Sequence, residues 1–532
     1  MSKKKRKRDH RSSYDYRQSK RINLQESRSL VMAAQRAWKQ ARYERAVDLY
    51  KRASRLDPGN AELMVDIARA YGLRQDFDQA HDYIERALKS DPKQARIQYM
   101  AGETFWMINR QDEAAACFRQ VLKLDPNARD APAALVTLAR YHERHHRLGD
   151  AREALDRALA LQPDHEEGRL QRAILARRDG ERSAAISQLR ALLDQKCHSF
   201  QVESDAWYEL GQLLDAEQDY DAAIDAAQRA KKILRPHAGE ALRQWKGVRD
   251  RIDRMLEDIT KEHFERWDQQ GPASDALRLA LLTGHPRSGT TLIEQVLDSH
   301  PGLISADEFT TFSDWVFVAL GVHHPATTTI LTVLNRTPQR RLAKARQDYW
   351  SRTEAMLDEP IGERMLMDKN PELTYLVPLV NCVFPEMKIL FALRDPRDVV
   401  LSCFMQKLPL NSISVNYLSL EETARKYAHV MRHWLVAREH AKADWIELRY
   451  EDTVKDLEAQ ARRLLGFLGL PWDADVLQFH RRARQKLVRS PTYEAVTEPV
   501  HTRAVGRWKN YERHLAPHLE FLDTYLDEFG YR

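Results

Sequence analysis

Gly284-His285-Pro286-Arg287-Ser288-Gly289-Thr290-Thr291 is the stretch on which the reading of this 532-residue chain turns. Its glycine spacing is that of the phosphate-binding pattern GxxxxGK[ST], with Thr290 where that pattern has lysine. The largely apolar run Leu277–Thr283 before it predicts a buried strand. Leu292, Val296 and Leu297 after it recur at helical spacing. A strand, a tight loop and a helix N-terminus aim backbone N–H groups and the positive end of a helix dipole at one small volume, which suits an anion. Pro286, Arg287, Ser288, Gly289, Thr290 and Thr291 are therefore candidate phosphate contacts, and Arg287 adds a forked donor inside the loop. An NTPase needs its loop lysine between the β- and γ-phosphates, so Thr290 argues against γ-phosphoryl transfer.

From Ala276 onward, apolar segments alternate with helical ones. Met387–Leu393 reads as a second buried strand before a helix from about Arg397 to Gln406. Trp445–Tyr450 reads as a third, before a helix through Leu468. This alternation predicts a doubly wound, mostly parallel sheet with its ligand at the carboxyl ends of the strands. Arg394 falls at such an end, and Ser402 lies eight residues on, along the following helix. A guanidinium there offers a bidentate fork to a second phosphate.

The amino-terminal half carries an internal repeat of 34 residues. Ala46, Ala80 and Ala114 keep this period, as do Pro58, Pro92 and Pro126, the large residues Tyr50, Ile84 and Phe118, and the small residues Ala34, Ala68 and Gly102. Ala139, Ala151, Leu155, Ala158 and Pro163 mark a fourth unit, Ala173, Ala185 and Leu189 a fifth, and Trp207, Leu210, Gly211, Ala223 and Ala230 a sixth. The pattern resembles tetratricopeptide (TPR) repeats, in which helix pairs stack into a solenoid. Such a solenoid implies a protein partner or a recruited acceptor. The expected organisation is a basic disordered tail over 1–26, a TPR α-solenoid of about six repeats over 27–236, a long amphipathic capping helix and linker over 237–274, and an α/β domain over 275–532.

Ten Lys or Arg against Asp9 and Asp15 fill residues 1–22, so the formal net charge of +6 belongs to the tail and the remainder is slightly acidic. The body is thus not expected to bind nucleic acid, and only the tail offers a basic segment to one. No apolar run approaches a membrane span and no secretory h-region follows the tail, so a cytoplasmic setting is expected. Cys117, Cys197, Cys382 and Cys403 are too dispersed for a disulfide framework or a cysteine metal site, and no metal is expected.

The Pro286–Thr291 string resembles the 5′-phosphosulfate loop of sulfotransferases that use 3′-phosphoadenosine 5′-phosphosulfate (PAPS). The Arg394-Asp395-Pro396-Arg397 segment with Ser402 resembles their grip on the 3′-phosphate. Within that superfamily the likeness leans towards protein-tyrosine sulfotransferases and covers Leu277 to the C-terminus. It implies a P-loop-type sulfotransferase domain with PAPS as co-substrate and no metal. By the same likeness, Glu308 corresponds to the general base, Lys369 and Ser490 to the groups that meet the transferring sulfuryl group, and Arg287 joins this catalytic set. Tyr450, Trp508 and Lys509 resemble positions around the nucleotide. Where tyrosine sulfotransferases continue with arginines after the acidic pair, this chain has Phe309-Thr310-Thr311-Phe312-Ser313-Asp314. The acceptor is therefore left open among protein, glycan, lipid and small molecule. Two other readings stand beside this one: a TPR scaffold with a nucleotide-binding but inactive domain, and a P-loop NTPase or kinase.

Overall fold

The computed structural model describes residues 22–38, 43–73, 76–272, 274, 276–309, 311–317, 320–321, 329–357, 359–441, 443–483 and 495–532. The basic tail lies outside them up to residue 21. They form two compact units, Met1–Leu192 and Leu193–Arg532.

Every regular element among the described residues of the first unit is a helix. Residues 22–38 and Tyr43–Leu56 make the first pair, followed by Ala61–Leu73 with Phe77–Ser90, Ala95–Met107 with Gln111–Leu124, Ala131–Arg144 with Leu148–Leu161, and Glu166–Arg178 with Arg182–Leu193. The 34-residue period has a steric cause. Ala46, Ala80 and Ala114 are completely buried where paired helices cross, and a Cβ on Gly102 would come within 2.8 Å of the Phe118 ring. Larger residues at these positions would hold the helices apart. Tyr50, Ile84 and Phe118 fill the space the small residues leave.

The sixth pair, α1 (Phe200–Ala216) and α2 (Tyr220–Leu234), belongs to the second unit. Ser199 and Asp219 cap these helices by accepting the N–H groups of Val202 and Ala222. The long capping helix expected within 237–274 is two helices: α3 (Gly239–Asp258) and a second over Lys261–Gln270. Ile259 is buried with extended backbone, and Thr260 forms a capping box with His263, so a fresh N-terminus begins there. Phe264 and Trp267 are buried as well, and residues 193–270 cluster with the sheet rather than with the earlier repeats.

The sheet has five parallel strands in the order β2-β3-β1-β4-β5: β1 (Leu279–Gly284), β2 (Leu303–Asp307), β3 (Met365–Lys369), β4 (Lys388–Leu393) and β5 (Trp445–Arg449). Strand β1 starts after Arg278, whose guanidinium donates to the Glu363 carbonyl at 2.7 Å. Side chains alternate between two covered faces. Ala280, Leu282, Leu390 and Ala392 join Ile293, Val296 and Leu297 of α4 (Thr290–Asp298) and Leu464 and Leu465 in one core. Phe391 points the other way and stacks on Trp434 of α6 (Leu420–His440), with centroids 3.9 Å apart. The helix after β4 is α5 (Pro396–Met405). No helix among the described residues is long and apolar enough to cross a membrane, and the four cysteines form no disulfide.

Gly284 ends β1 at φ +142°, paired with Ala392 of β4, and a Cβ there would stand 2.5 Å from the Ala392 carbonyl oxygen. Neither backbone can retreat without breaking the central ladder. Gly284→Ala is therefore expected to destabilise the sheet unit by about 2–4 kcal/mol, read as a lowered urea midpoint by tryptophan fluorescence. An unchanged midpoint would show that the β1–β4 contact has slack.

Candidate active site

Each of the five strands delivers a candidate residue at or just beyond its carboxyl end: the loop 284–291 after β1, Asp307 and Glu308 at β2, Lys369 at β3, Arg394 after β4 and Tyr450 after β5. Parallel strands put these ends on one edge, where ligands of such sheets bind.

The loop is held from behind. Thr374 Oγ1 accepts the Gly284 N–H at 3.1 Å and lies 3.0 Å from the Gly284 carbonyl. His285 Nδ1 contacts the Pro286 carbonyl at 2.8 Å, and burial pushes this imidazole down to about 3, so it adds no charge. Arg287 and Gly289 both take left-handed backbone, at φ +74° and +94°. That conformation costs a non-glycine residue free energy and is concentrated at functional sites. At Gly289 a side chain is sterically excluded, since a Cβ would come 2.6 Å from the Tyr450 ring. Ser288, Thr290 and Thr291 are buried at the start of α4, and the Ser288 Oγ has no hydrogen-bond partner.

The two expected anion anchors form a single cluster. Arg287 Nε donates to Ser402 Oγ on α5 at 3.1 Å, and Arg394 Nη1 donates to the Arg287 carbonyl at 3.1 Å. Burial pulls the Arg287 guanidinium below its ordinary range, and neighbouring Arg394 adds to this while Glu308 opposes it. Arg394 also donates to the Ala504 carbonyl and lies over the Tyr450 ring at 4.9 Å, whereas its Nε remains buried without a partner. Asp398 lies 3.9 Å from Arg394 and accepts the N–H groups of Gly506 and Trp508 at 2.7 and 2.8 Å. Trp508 is thereby brought beside the arginines and stacks under Arg397 at 3.8 Å. Lys509 follows, exposed. Arg507 ion-pairs with Asp215 of α1 at 2.8 Å, and Tyr511 donates to the same carboxylate at 2.5 Å.

On the β2–β3 side, Lys369 is fully buried, and its Nζ lies 2.6 Å from Asp307, 2.7 Å from Glu308 and 3.3 Å from Glu294 of α4. Burial alone would lower this ammonium's pKa. The three carboxylates outweigh burial and hold it above its ordinary value, so Lys369 is charged. Of the three, only the Glu308 side chain is open to solvent, at 41% exposure. Its backbone is left-handed at φ +54°, fixed by its N–H donating to the Lys369 carbonyl at 3.0 Å. Ser490 lies outside the described residues.

Sequence reasoning did not find Glu294, Asp215 or the hold of Asp398 on the Gly506 and Trp508 N–H groups. Glu294 carried a signal, since a fully buried acid on the inward face of α4 must have a buried partner.

The chain is thus a parallel α/β protein with a phosphate-type loop, preceded by stacked helical repeats. Residues 280–474 match the sulfotransferase family, and residues 37–103 and 99–239 match tetratricopeptide repeats. The chain therefore carries TPR repeats followed by a sulfotransferase-family domain. An uncharacterized protein of Aquifex aeolicus is 26% identical over 351 residues, which is 63% of this chain and 44% of that protein. Protein-tyrosine sulfotransferase 1 of Danio rerio is 25% identical over 43% of this chain and 65% of its own length. The Mycobacterium bovis omega-hydroxy-beta-dihydromenaquinone-9 sulfotransferase Stf3 is 25% identical over 40% and 67%. The chain thus spans under half the Aquifex relative and about two thirds of the other two. Among solved structures, the sulfotransferase domain of the Synechococcus PCC 7002 olefin synthase aligns at 20% identity and a TM-score of 0.33, covering 45% of this chain and 90% of that one.

Beside Lys369 on β3, Asp368 faces Tyr349, whose hydroxyl donates to it at 2.8 Å. Burial pushes the Asp368 carboxyl up to about 7, against the opposing effects of Tyr349 and Lys369. An unfolded aspartate titrates near 4. Between pH 4 and 7 the folded state therefore binds more protons, and this group's contribution to stability falls as pH rises through that window. Asp368→Asn should remove this slope. The wild-type minus variant stability, from urea titrations, should be less favourable at pH 8 than at pH 5, and parallel pH profiles would refute the assignment.

Proposed function

We propose that the chain is a PAPS-dependent sulfotransferase that moves a sulfuryl group to an acceptor hydroxyl, with the repeats recruiting the acceptor or a partner protein. The observation that carries this reading is the contiguous cluster of Arg287, Ser402 and Arg394 around a phosphate-type loop that has Thr290 in place of lysine. One anion site on the loop and a second at Arg394 suit a bisphosphorylated nucleotide better than a triphosphate. The orphaned Ser288 Oγ and Arg394 Nε are buried donors awaiting acceptors. Tyr450 and Trp508 supply flat faces beside them for an adenine.

Glu308 takes the acceptor proton, because among the carboxylates around Lys369 it alone can be reached from solvent. The three N–H donors of Lys369 face three carboxylates in this state. When Glu308 is protonated its hold on the ammonium weakens. One N–H then becomes available to the donor's leaving oxygen as negative charge develops there. Proton removal and leaving-group stabilisation are thereby coupled through one ion pair. The absence of arginines after Glu308 argues for an acceptor other than an acidic tyrosine peptide.

Glu308→Gln is expected to leave the affinity for 3′-phosphoadenosine 5′-phosphate unchanged and to lower turnover by about 10²–10⁴-fold. Equilibrium binding and single-turnover kinetics separate the two effects. Arg394→Ala should weaken 3′-phosphoadenosine 5′-phosphate while sparing adenosine 5′-phosphosulfate, which has no 3′-phosphate. Equal losses for both ligands in calorimetry would remove Arg394 from the 3′ site.

A further inference from the structure

Tyr375, next to the Thr374 that holds Gly284, borders a cluster between α3 and α6 that the proposed chemistry does not use. His429 and His433 stand one helical turn apart on α6, so both rings project from the same face. Asp253 reaches them from α3, with its Oδ1 2.5 Å from His429 Nε2 and 3.6 Å from His433 Nε2. One ligand atom from each of the three residues lies within 4.8 Å of the others.

Hydrogen bonding leaves this cluster incomplete. His429 Nε2 donates to Asp253, but His433 is almost wholly buried and its Nε2 has only that carboxylate at 3.6 Å, too long for a good hydrogen bond. A buried ring nitrogen turned towards a carboxylate and a second imidazole is the kind of orphan a bound cation would satisfy. The surroundings orient each ligand. The Tyr375 hydroxyl lies 3.2 Å from His429 Nδ1 and can accept an Nδ1–H there, so a cation that displaces the Nε2 proton shared with Asp253 would meet the Nε2 lone pair. Arg249 lies 4.0 Å from Asp253 on the Oδ2 side, opposite the ligating oxygen. Trp245 meets His429 edge-on at 5.9 Å and Tyr375 meets His433 edge-on at 5.0 Å, so neither ring can swing freely.

We propose that Asp253, His429 and His433 bind one zinc-type divalent cation that clamps α3 to α6. Two imidazoles and a carboxylate suit borderline transition cations rather than Mg²⁺ or Ca²⁺. Three protein ligands leave a fourth position for water, and Asp253 and His429 are only partly buried, so that position has an outlet to solvent. Lys426, one turn before His429, opposes a dication, but its ammonium is held over the faces of Trp245 at 3.9 Å and Tyr375 at 4.6 Å. The site is accordingly weaker than a four-ligand structural zinc. Its position ties the segment after the sixth helical pair to the longest helix of the sheet unit.

The test uses the full chain, stripped with a chelator, dialysed, and titrated with Zn²⁺ by calorimetry and with Co²⁺ by visible absorption. One saturable equivalent is expected, with d–d bands typical of low coordination number. His433→Ala and Asp253→Ala should abolish it, and Tyr375→Phe should weaken it by about 10-fold through the lost outer hydrogen bond. Asp253→His, which restores a third nitrogen ligand, should retain binding and guards against a variant that merely misfolds. No saturable equivalent in the wild-type chain overturns the site. So does binding that survives intact in folded His433→Ala and Asp253→Ala. Neither result depends on the sulfotransferase reading.

Discussion

A single buried ammonium organises the carboxyl edge of the sheet. Lys369 ends β3 directly across from Asp307 of β2, and Glu294 reaches it from the helix that begins at the anion loop. Burying a lysine costs several kcal/mol unless its charge is met, and removing one partner of such a cluster typically costs about 3–5 kcal/mol. The register of β2 on β3, the seating of α4 and the left-handed backbone of Glu308 are therefore interdependent. The edge is also electrically divided. Cationic Arg287 and Arg394 stand at the ends of β1 and β4, and the carboxylates at the ends of β2 and β3. The cationic side favours negative charge, and the side that carries the exposed Glu308 carboxylate favours a proton.

Much of this was legible in the sequence, for reasons that differ by element. The loop 284–291 and the Arg394 segment are local motifs in which backbone geometry and chemistry sit within a few residues, so a one-dimensional reading finds them. The six helical pairs are legible because close packing imposes a repeating small residue. Strands β2 and β3 are harder. Each has five residues and ends in charge, at Asp307 and Lys369, and an apolar window that short does not stand out. The ring around Lys369 joins residues 294, 307, 308 and 369, an adjacency created only by strand order. The break at Ile259–Thr260 was hidden because Ile259 continues the apolar periodicity while its backbone leaves the helix.

The fate of the sixth helical pair shows what periodicity cannot convey. It repeats the earlier pairs in sequence yet clusters with the sheet, because its outward side chains have partners there. Asp205 ion-pairs with Lys407 at 2.7 Å, and buried Lys231 lies near the rings of Tyr208 and Phe404. Asp215 holds Arg507, which lies between the two residues whose N–H groups Asp398 accepts, and also Tyr511. Two carboxylates, one from the repeat and one from the RDPRD segment, thus fix the same stretch of chain. Trp508 sits between them, over Arg397. The last repeat is in this sense part of the scaffold that seats the 504–511 segment beside Arg394 and Arg397. A residue on α1 that never approaches the loop can alter that seating by releasing Arg507, and a shift of the 504–511 segment acts back on α1 through the same ion pair. This helix thus carries the repeat pattern and also holds the segment that Asp398 ties to Arg394.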